Sequence, residues 1–348
     1  MFVDSPPERH AAAAAVAPWK RRATRTAGLL ASVGILALVA LASIAIGARE
    51  LSVGQVWHGL FGDTGTYGDV VVRGRLARTA LGLLAGAALG LSGAILQAVT
   101  RNPLADPGLL GINAGASAAV VTALTYLGVN SLTGYVWFAF LGAAAVGALV
   151  WFLGGGRGAT PVRLALAGTA VAAALTGYVQ AVMILDDAAL GRMRFWTVGS
   201  LSSATWGTII RVLPFLAVGT VLALALARPL NALQMGDDTA RALGAHPGRT
   251  RALAMAAATL LCGAATAACG PIVFVGLMVP HVVRSITGPD LRWILPYTTV
   301  LAPVLLLGAD VVGRMVVRPS ELQVGIVTAV LGGPVFVLLV RRGRTAKL

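Results

Sequence analysis

The residues that could do chemistry in this 348-residue chain are few, and their spacing excludes more than it permits. Four histidines, His10, His58, His246 and His281, are scattered, and no pair has metal-ligand spacing. No G-x-S-x-G elbow and no paired carboxylates suited to acid–base work occur. A phosphate-cradling G-x-x-x-x-G-K-[ST] loop is excluded, because the only lysines are Lys20 and Lys347 and neither follows a glycine. The chain is therefore not read as an enzyme, and no cofactor or metal is expected. If ATP powers it, another polypeptide must hydrolyse the nucleotide.

Four polar clusters remain. The first is Arg228–Arg251, RPLNALQMGDDTARALGAHPGRTR, set between long apolar runs. Gly236 ends what precedes it, and Asp237 is predicted to cap the next turn through its carboxylate. Asp238 adds negative charge at the positive end of the helix dipole. Arg241 and Leu243 follow, Gly244 suits a left-handed stop, and His246-Pro247 prevents continuation. The prediction is a short, separately capped helix. The second cluster is Arg101–Pro107, RNPLADP, a tight turn with Asn102 and Asp106 at turn and cap positions. The third is Arg73, Arg75 and Arg78, with Arg314 and Arg318 at similar depth, a cationic patch able to grip an acidic partner or lipid head groups. The fourth is Asp310 and Arg314, an i, i+4 pair inside an apolar run that should neutralise itself. Gly82, Gly86, Gly90 and Gly93 form a stripe that lets another helix approach, with Gln97 on the same side.

These clusters must be positioned by membrane helices. The chain is 57% hydrophobic and 11% charged, with mean hydropathy +0.83. That is an all-α integral membrane protein, apolar all round its segments. The alternating strands of a β-barrel are absent. Ten spans are predicted, near 27–48, 75–100, 109–128, 133–153, 162–185 and 206–227, two within 252–286, then 293–315 and 324–340. Gly270-Pro271 and Pro280 divide the seventh span from the eighth, with the outer turn at one or the other. Residues 49–73 suit a short interfacial helix, and 186–205 an external connection. The layout puts residues 1–26 inside as a basic tail. A permease domain covers 27–341 with an inner loop at 228–251, and 342–348 is a second inner tail. About two thirds of the 27 Lys and Arg then lie inside, as the positive-inside rule requires. The same scatter argues against nucleic acid as the partner for the formal charge of +14. Cys262 and Cys269 lie about 10 Å apart along one helix, too far for a disulfide. Gly86-Ala87-Ala88, Gly93, Ile95 and Pro103 recur 177 residues later as Gly263-Ala264-Ala265, Gly270, Ile272 and Pro280. This suggests an inverted repeat of spans 2–5 and 7–10, a common transporter plan.

Four stretches in order, GLSGAILQAVTRNPLADPGLLGINAGA, MGDDTARALGAHPGRTR, GPIVFVGLMVPHVVR and ADVVGRMVVRPSELQVGIVTAVLGGPVFVLLVRR, closely resemble the FecCD-type permeases over about residues 50–342. These are membrane subunits of type II ABC importers for iron–siderophore complexes, haem and cobalamin. The resemblance implies ten spans per subunit in a bacterial cytoplasmic membrane. It also implies a second permease subunit, the same chain or a similar one, two ABC ATPase subunits and an extracytoplasmic solute-binding protein. By position, Asp237, Asp238, Arg241, Leu243 and Gly244 match the coupling helix that sits in a groove of the ATPase. Arg75, Arg78 and Arg314 match arginines that meet glutamates of the binding protein; the family commonly has Pro where Ala77 stands. Asn102 and Leu104 match residues near a cytoplasmic gate, and Thr160 is matched to a further gate position. The implied activity is ATP-driven import of a ferric siderophore, with haem or cobalamin as alternatives. An ion-gradient-driven carrier is a rival from another class, disfavoured by the scarcity of unpaired acids within the spans.

Overall fold

In the computed structural model, residues 18–47, 53–62, 66–129 and 132–345 are described. Residues 1–17 of the basic N-terminal tail, with His10, and the last three residues, with Lys347, lie outside them. The described residues are helical, with no β-strand among them. Fourteen α-helices succeed one another along the described chain: α1 (Pro18–Ala45), α2 (Val53–Phe61), α3 (Tyr67–Thr100), α4 (Ile112–Tyr126), α5 (Leu132–Leu153), α6 (Pro161–Leu185), α7 (Asp187–Trp196), α8 (Trp206–Ala225), α9 (Ala227–Gln234), α10 (Asp237–Ala242), α11 (Pro247–Cys269), α12 (Val275–Thr287), α13 (Leu291–Val316) and α14 (Val324–Thr345). Seven of them, α1, α3, α5, α6, α8, α11 and α13, are long and apolar enough to cross a membrane, and α4, α12 and α14 are shorter apolar helices. The ten predicted spans fall on these ten.

Helices α3 and α11 form the buried axis, whereas α1 and α6 stay largely exposed within this single chain. The glycine stripe explains how α3 is approached so closely. A β-carbon on Gly82 would meet Leu307, one on Gly86 the backbone at Pro303, and one on Gly90 the side chain of Ala302, all on α13. At Gly93 it would run into the carbonyl of Gly276 on α12. The stripe is thus a packing surface for α13 and α12, as small residues are between membrane helices.

Local chemistry sets the helix ends, and it moves several of them from their predicted places. Helix α3 starts at Tyr67 rather than near Arg75, because Thr66 N donates to the Asp69 carboxylate at 3.1 Å, half of a capping box. Arg73, Arg75 and Arg78 therefore ride on the helix. The stretch 186–205 contains α7, which was not anticipated; Asp186 caps it by accepting from the amides of Ala188 and Ala189 at 2.9 and 3.1 Å.

The division between α11 and α12 falls at Gly270–Phe274, where Gly270 and Phe274 both have positive φ, and not at Pro280. Pro280 lies inside α12. Having no N–H, it cannot bond the carbonyl of Gly276 one turn back. Gln97 of α3 supplies the donor instead, reaching the carbonyls of Gly276 and Leu277, each at 3.2 Å. Its own amide oxygen accepts from Arg284 at 3.4 Å. The repeated motif consequently occupies unlike places in its two copies. Gly93 is inside α3, while Gly270 comes just after the last residue of α11. Cys262 and Cys269 are both free and buried.

Candidate functional sites at the two ends of α3

At one end of the bundle, α9 seats Leu230 and Leu233 in the core and ends at Gln234, shortly before Gly236, whose φ of +113° favours glycine. The N-cap of α10 is this Gly236, not Asp237 as the sequence suggested, and no side chain caps it. Asp237 is the first helical residue, and its carboxylate points elsewhere. It accepts from Arg251 Nη1 and Nη2 at 2.9 and 2.7 Å and from Arg101 Nη2 at 2.6 Å. The hydrogen bond from Arg251 does most to hold the Asp237 carboxyl below the usual carboxylate range; partial burial opposes this, and Arg101 adds to it. Ala240 is buried beneath the helix. Leu243 is 63% exposed, and Asp238 pairs with Arg241 on the open face at 2.7 Å. Gly244 takes the left-handed conformation foreseen for it, with φ +78°. The result is a one-and-a-half-turn projection with an apolar tip and a charged flank, pinned at its root.

Beside it runs the RNPLADP turn. Asn102 Oδ1 accepts the Leu104 amide at 2.9 Å, and Asp106 accepts the Gly108 amide at 2.8 Å, capping a 3-10 turn at Pro107–Leu110. Burial pushes the Asp106 carboxyl up to about 6, against the lowering effect of that amide. Thr160 caps α6 by accepting the Arg163 amide at 3.4 Å, with Pro161 at the first helical position. A cavity of about 370 Å³ separates the turn from the start of α6, lined by Thr100, Asn102, Asp106, Val162 and Leu166 among others. Asn102 thus faces the α6 terminus that Thr160 begins, while Leu104 and Thr160 are not among the lining residues.

At the opposite end of α3, two of the three arginines singled out by sequence, Arg78 and Arg314, meet at one carboxylate, and Arg75 lies beside them against the end of α1. Asp310, fully buried, accepts from Arg78 at 2.7 Å and from Arg314 at 2.9 Å. The i, i+4 pairing with Arg314 is as expected; the bond from Arg78 on another helix was not foreseen. Nor was Glu321, which accepts from Arg78 Nη1 at 2.6 Å while remaining 32% exposed. Arg75 donates to the carbonyls of Ile44 and Ala45 at 3.1 and 2.8 Å. Arg314 donates to the Ser43 and Ile46 carbonyls, and Arg318 to that of Gly47. The end of α1 therefore accepts from three guanidinium groups, which satisfies carbonyls that a helix terminus leaves open. The cations are turned inward around a pocket of about 450 Å³ bordered by Arg75, Arg78, Arg314 and Glu321. One signal for this network was available in the sequence: in so apolar a chain, each intramembrane charge needs a partner.

A bundle of this kind, with apolar helices of spanning length and polar clusters at the two ends of its central helix, has the build of a multi-pass membrane protein. The FecCD transport family model matches residues 35–342. The chain is 46% identical over 326 residues to the ferric enterobactin transport system permease protein FepD of Escherichia coli (strain K12), covering 92% of this chain and 96% of that one. It is 37% identical to the hemin transport system permease protein HmuU of Yersinia pestis, covering 89% and 94%. A solved structure, described as an inward-facing conformation of a metal-chelate type ABC transporter, is similar with a TM-score of 0.80 at 28% identity, over 91% of this chain and 99% of that one. The chain belongs to the FecCD transport family and is a membrane permease of ABC-transporter type.

Proposed function

We propose that this chain passes a ferric siderophore from an external binding protein into the cytoplasm, as one of two permease subunits driven by two separate ABC ATPase subunits. The observation that carries the substrate class is the 46% identity to FepD over nearly the full length of both chains. Haem, the cargo named for HmuU, stands behind it at 37%.

In this reading the ten apolar helices are ten crossings of the bacterial inner membrane, with both termini and α10 on the cytoplasmic side. The halves bearing α3–α6 and α11–α14 are inverted counterparts. Helix α10 is the coupling helix: Leu243 and the Asp238–Arg241 flank enter an ATPase groove, and Asp237 and Gly244 fix its root and its end. Asn102, Leu104 and Thr160 form the cytoplasmic gate. Arg75, Arg78 and Arg314 form the external seat for acidic side chains of the binding protein. The pathway runs between the two permease subunits, since helices with so few polar side chains do not line a wide pore alone. Exposed α6 faces that interface.

The test is reconstitution in liposomes with the partner ATPase and binding protein, using a panel of ferric siderophores, haem and cobalamin. Uptake of a ferric siderophore that is abolished by an ATPase active-site mutation supports the proposal. Uptake by this chain alone, collapsed by an uncoupler, would mark an ion-driven carrier and end it.

A further inference from the structure

The two ends of the proposed mechanism on the cytoplasmic side, α10 and the RNPLADP turn, belong to different parts of the chain. Covalently, α10 continues into α9 and α11, and the turn continues from α3. One side chain spans the gap. Arg101 stands just after the last residue of α3 with φ +51°, a left-handed conformation that a residue bearing a β-carbon seldom adopts. Its guanidinium makes two directed bonds at once: Nε donates to the Leu233 carbonyl of α9 at 3.0 Å, and Nη2 donates to Asp237 of α10 at 2.6 Å. Its backbone is equally committed, since Arg101 N donates to the Ala98 carbonyl at 3.4 Å and Asn102 N to that of Gln97 at 3.2 Å. The next residue, Asn102, folds the turn by accepting the Leu104 amide.

We infer that Arg101 is the positioning residue that carries displacement of α10 to the gate turn, a role that rests on the coupling function proposed for α10. The argument is geometric. A planar guanidinium holding two acceptors on two consecutive helices moves with both of them. Because it starts the turn, a shift of Asp237 is delivered to the backbone that sets Asn102 and Leu104. Arg251 grips the same carboxylate but leads into α11 instead, so it anchors α10 without addressing the turn. A lysine at position 101 could reach Asp237 yet could not reproduce the fork, because its donors radiate from one atom.

The experiment uses the full complex with its ATPase and binding-protein subunits. Hydrogen exchange is measured by mass spectrometry, with and without a non-hydrolysable ATP analogue, alongside uptake per ATP hydrolysed. In wild type, nucleotide should change protection both at 233–245 and at 98–108. In Arg101→Ala the change should persist at 233–245 and disappear at 98–108, with uptake per ATP falling about tenfold, within the usual range of coupling between sites. Arg101→Lys should give intermediate values for both. Arg292→Ala, which removes the exposed partner of Asp290 at the same end of the bundle, should transmit like wild type. A nucleotide response that still reaches 98–108 in Arg101→Ala overturns the inference, even if that variant is less stable, because a merely structural role lowers protection without removing the difference. Absence of any response at 233–245 in wild type would instead strike the coupling role of α10 itself.

Discussion

Arg78 of α3 clasps the carboxylate of Asp310 on α13, 232 residues away in sequence, with Nη2 at 2.7 Å and Nε at 3.0 Å. Arg314 bonds the same group from one turn along α13. One buried anion thus compensates two largely buried cations. Asp310→Ala should leave Arg314 without a carboxylate and Arg78 with Glu321 alone, and cost roughly 3–5 kcal/mol, the usual penalty for breaking a buried pair from one side. The double change Asp310→Ala with Arg314→Ala should cost less than Asp310→Ala alone, because Arg78 keeps Glu321. Thermal unfolding in detergent measures both; equal losses would mean that Arg314 does not depend on that carboxylate.

The tip of α10 is open to test without disturbing the core. Leu243 is exposed, and a β-carbon on Gly244 would meet open space, although its φ of +78° is denied to proline. Leu243→Asp and Gly244→Pro should insert into the membrane normally while ATP hydrolysis proceeds with little uptake. Normal uptake in both variants would remove α10 from the drive train.

Glu321 is the partly exposed member of the arginine network and occupies the Nη1 of Arg78. If acidic side chains of the binding protein seat on Arg78, they compete with it. Glu321→Gln should then tighten binding-protein affinity by about 2–5-fold, the worth of one partly exposed ion pair, and the gain should shrink in high salt. Weaker binding in that variant would mean that Glu321 contributes to the docking surface rather than blocking it.

Asp106 predicts a pH effect with a definite sign. Its folded-state value of about 6 lies above the ordinary 3.8, so the fold favours the protonated form. Its contribution to stability is complete below about 4 and is lost as pH rises through about 6, up to roughly 3 kcal/mol. Asp106→Asn should abolish this slope and be the more stable protein at pH 7, since an amide oxygen can still accept from Gly108. Asp290 titrates in a separate window. Partial burial works against its charge, but hydrogen bonds from Arg292 and Asn231 outweigh that and hold it at about 2. Its contribution is therefore present above about 4 and lost only as pH falls towards 2. Melting curves of wild type and Asp106→Asn between pH 4 and 8 decide the point, and parallel curves would count against a buried Asp106 charge.

The features legible in the sequence are those that obey local rules. Apolar length located the long helices, and Gly244 announced its own left-handed turn. The glycines of α3 announced close packing. The misses have a common cause. Asp237 was read as a cap because caps are local, whereas its partners come from elsewhere, Arg101 from the end of α3 and Arg251 from α11. Arg78 and Glu321 were likewise invisible as a pair, being 243 residues apart. Pro280 was weighed as a break because proline inside a helix leaves a carbonyl unpaired, and nothing in α12 itself shows where that carbonyl is satisfied.

That last point reaches beyond α12. The amide lost at Pro280 makes an opening that only a donor from outside can fill, and Gln97 fills it at one height on α3 and nowhere else. Smooth apolar helices can slide past one another at little cost, so shape alone is a poor ruler of their longitudinal alignment. Here the ruler is a polar one: what looks like a flaw in one helix is the notch into which its neighbour latches, and neither position is free to change without the other.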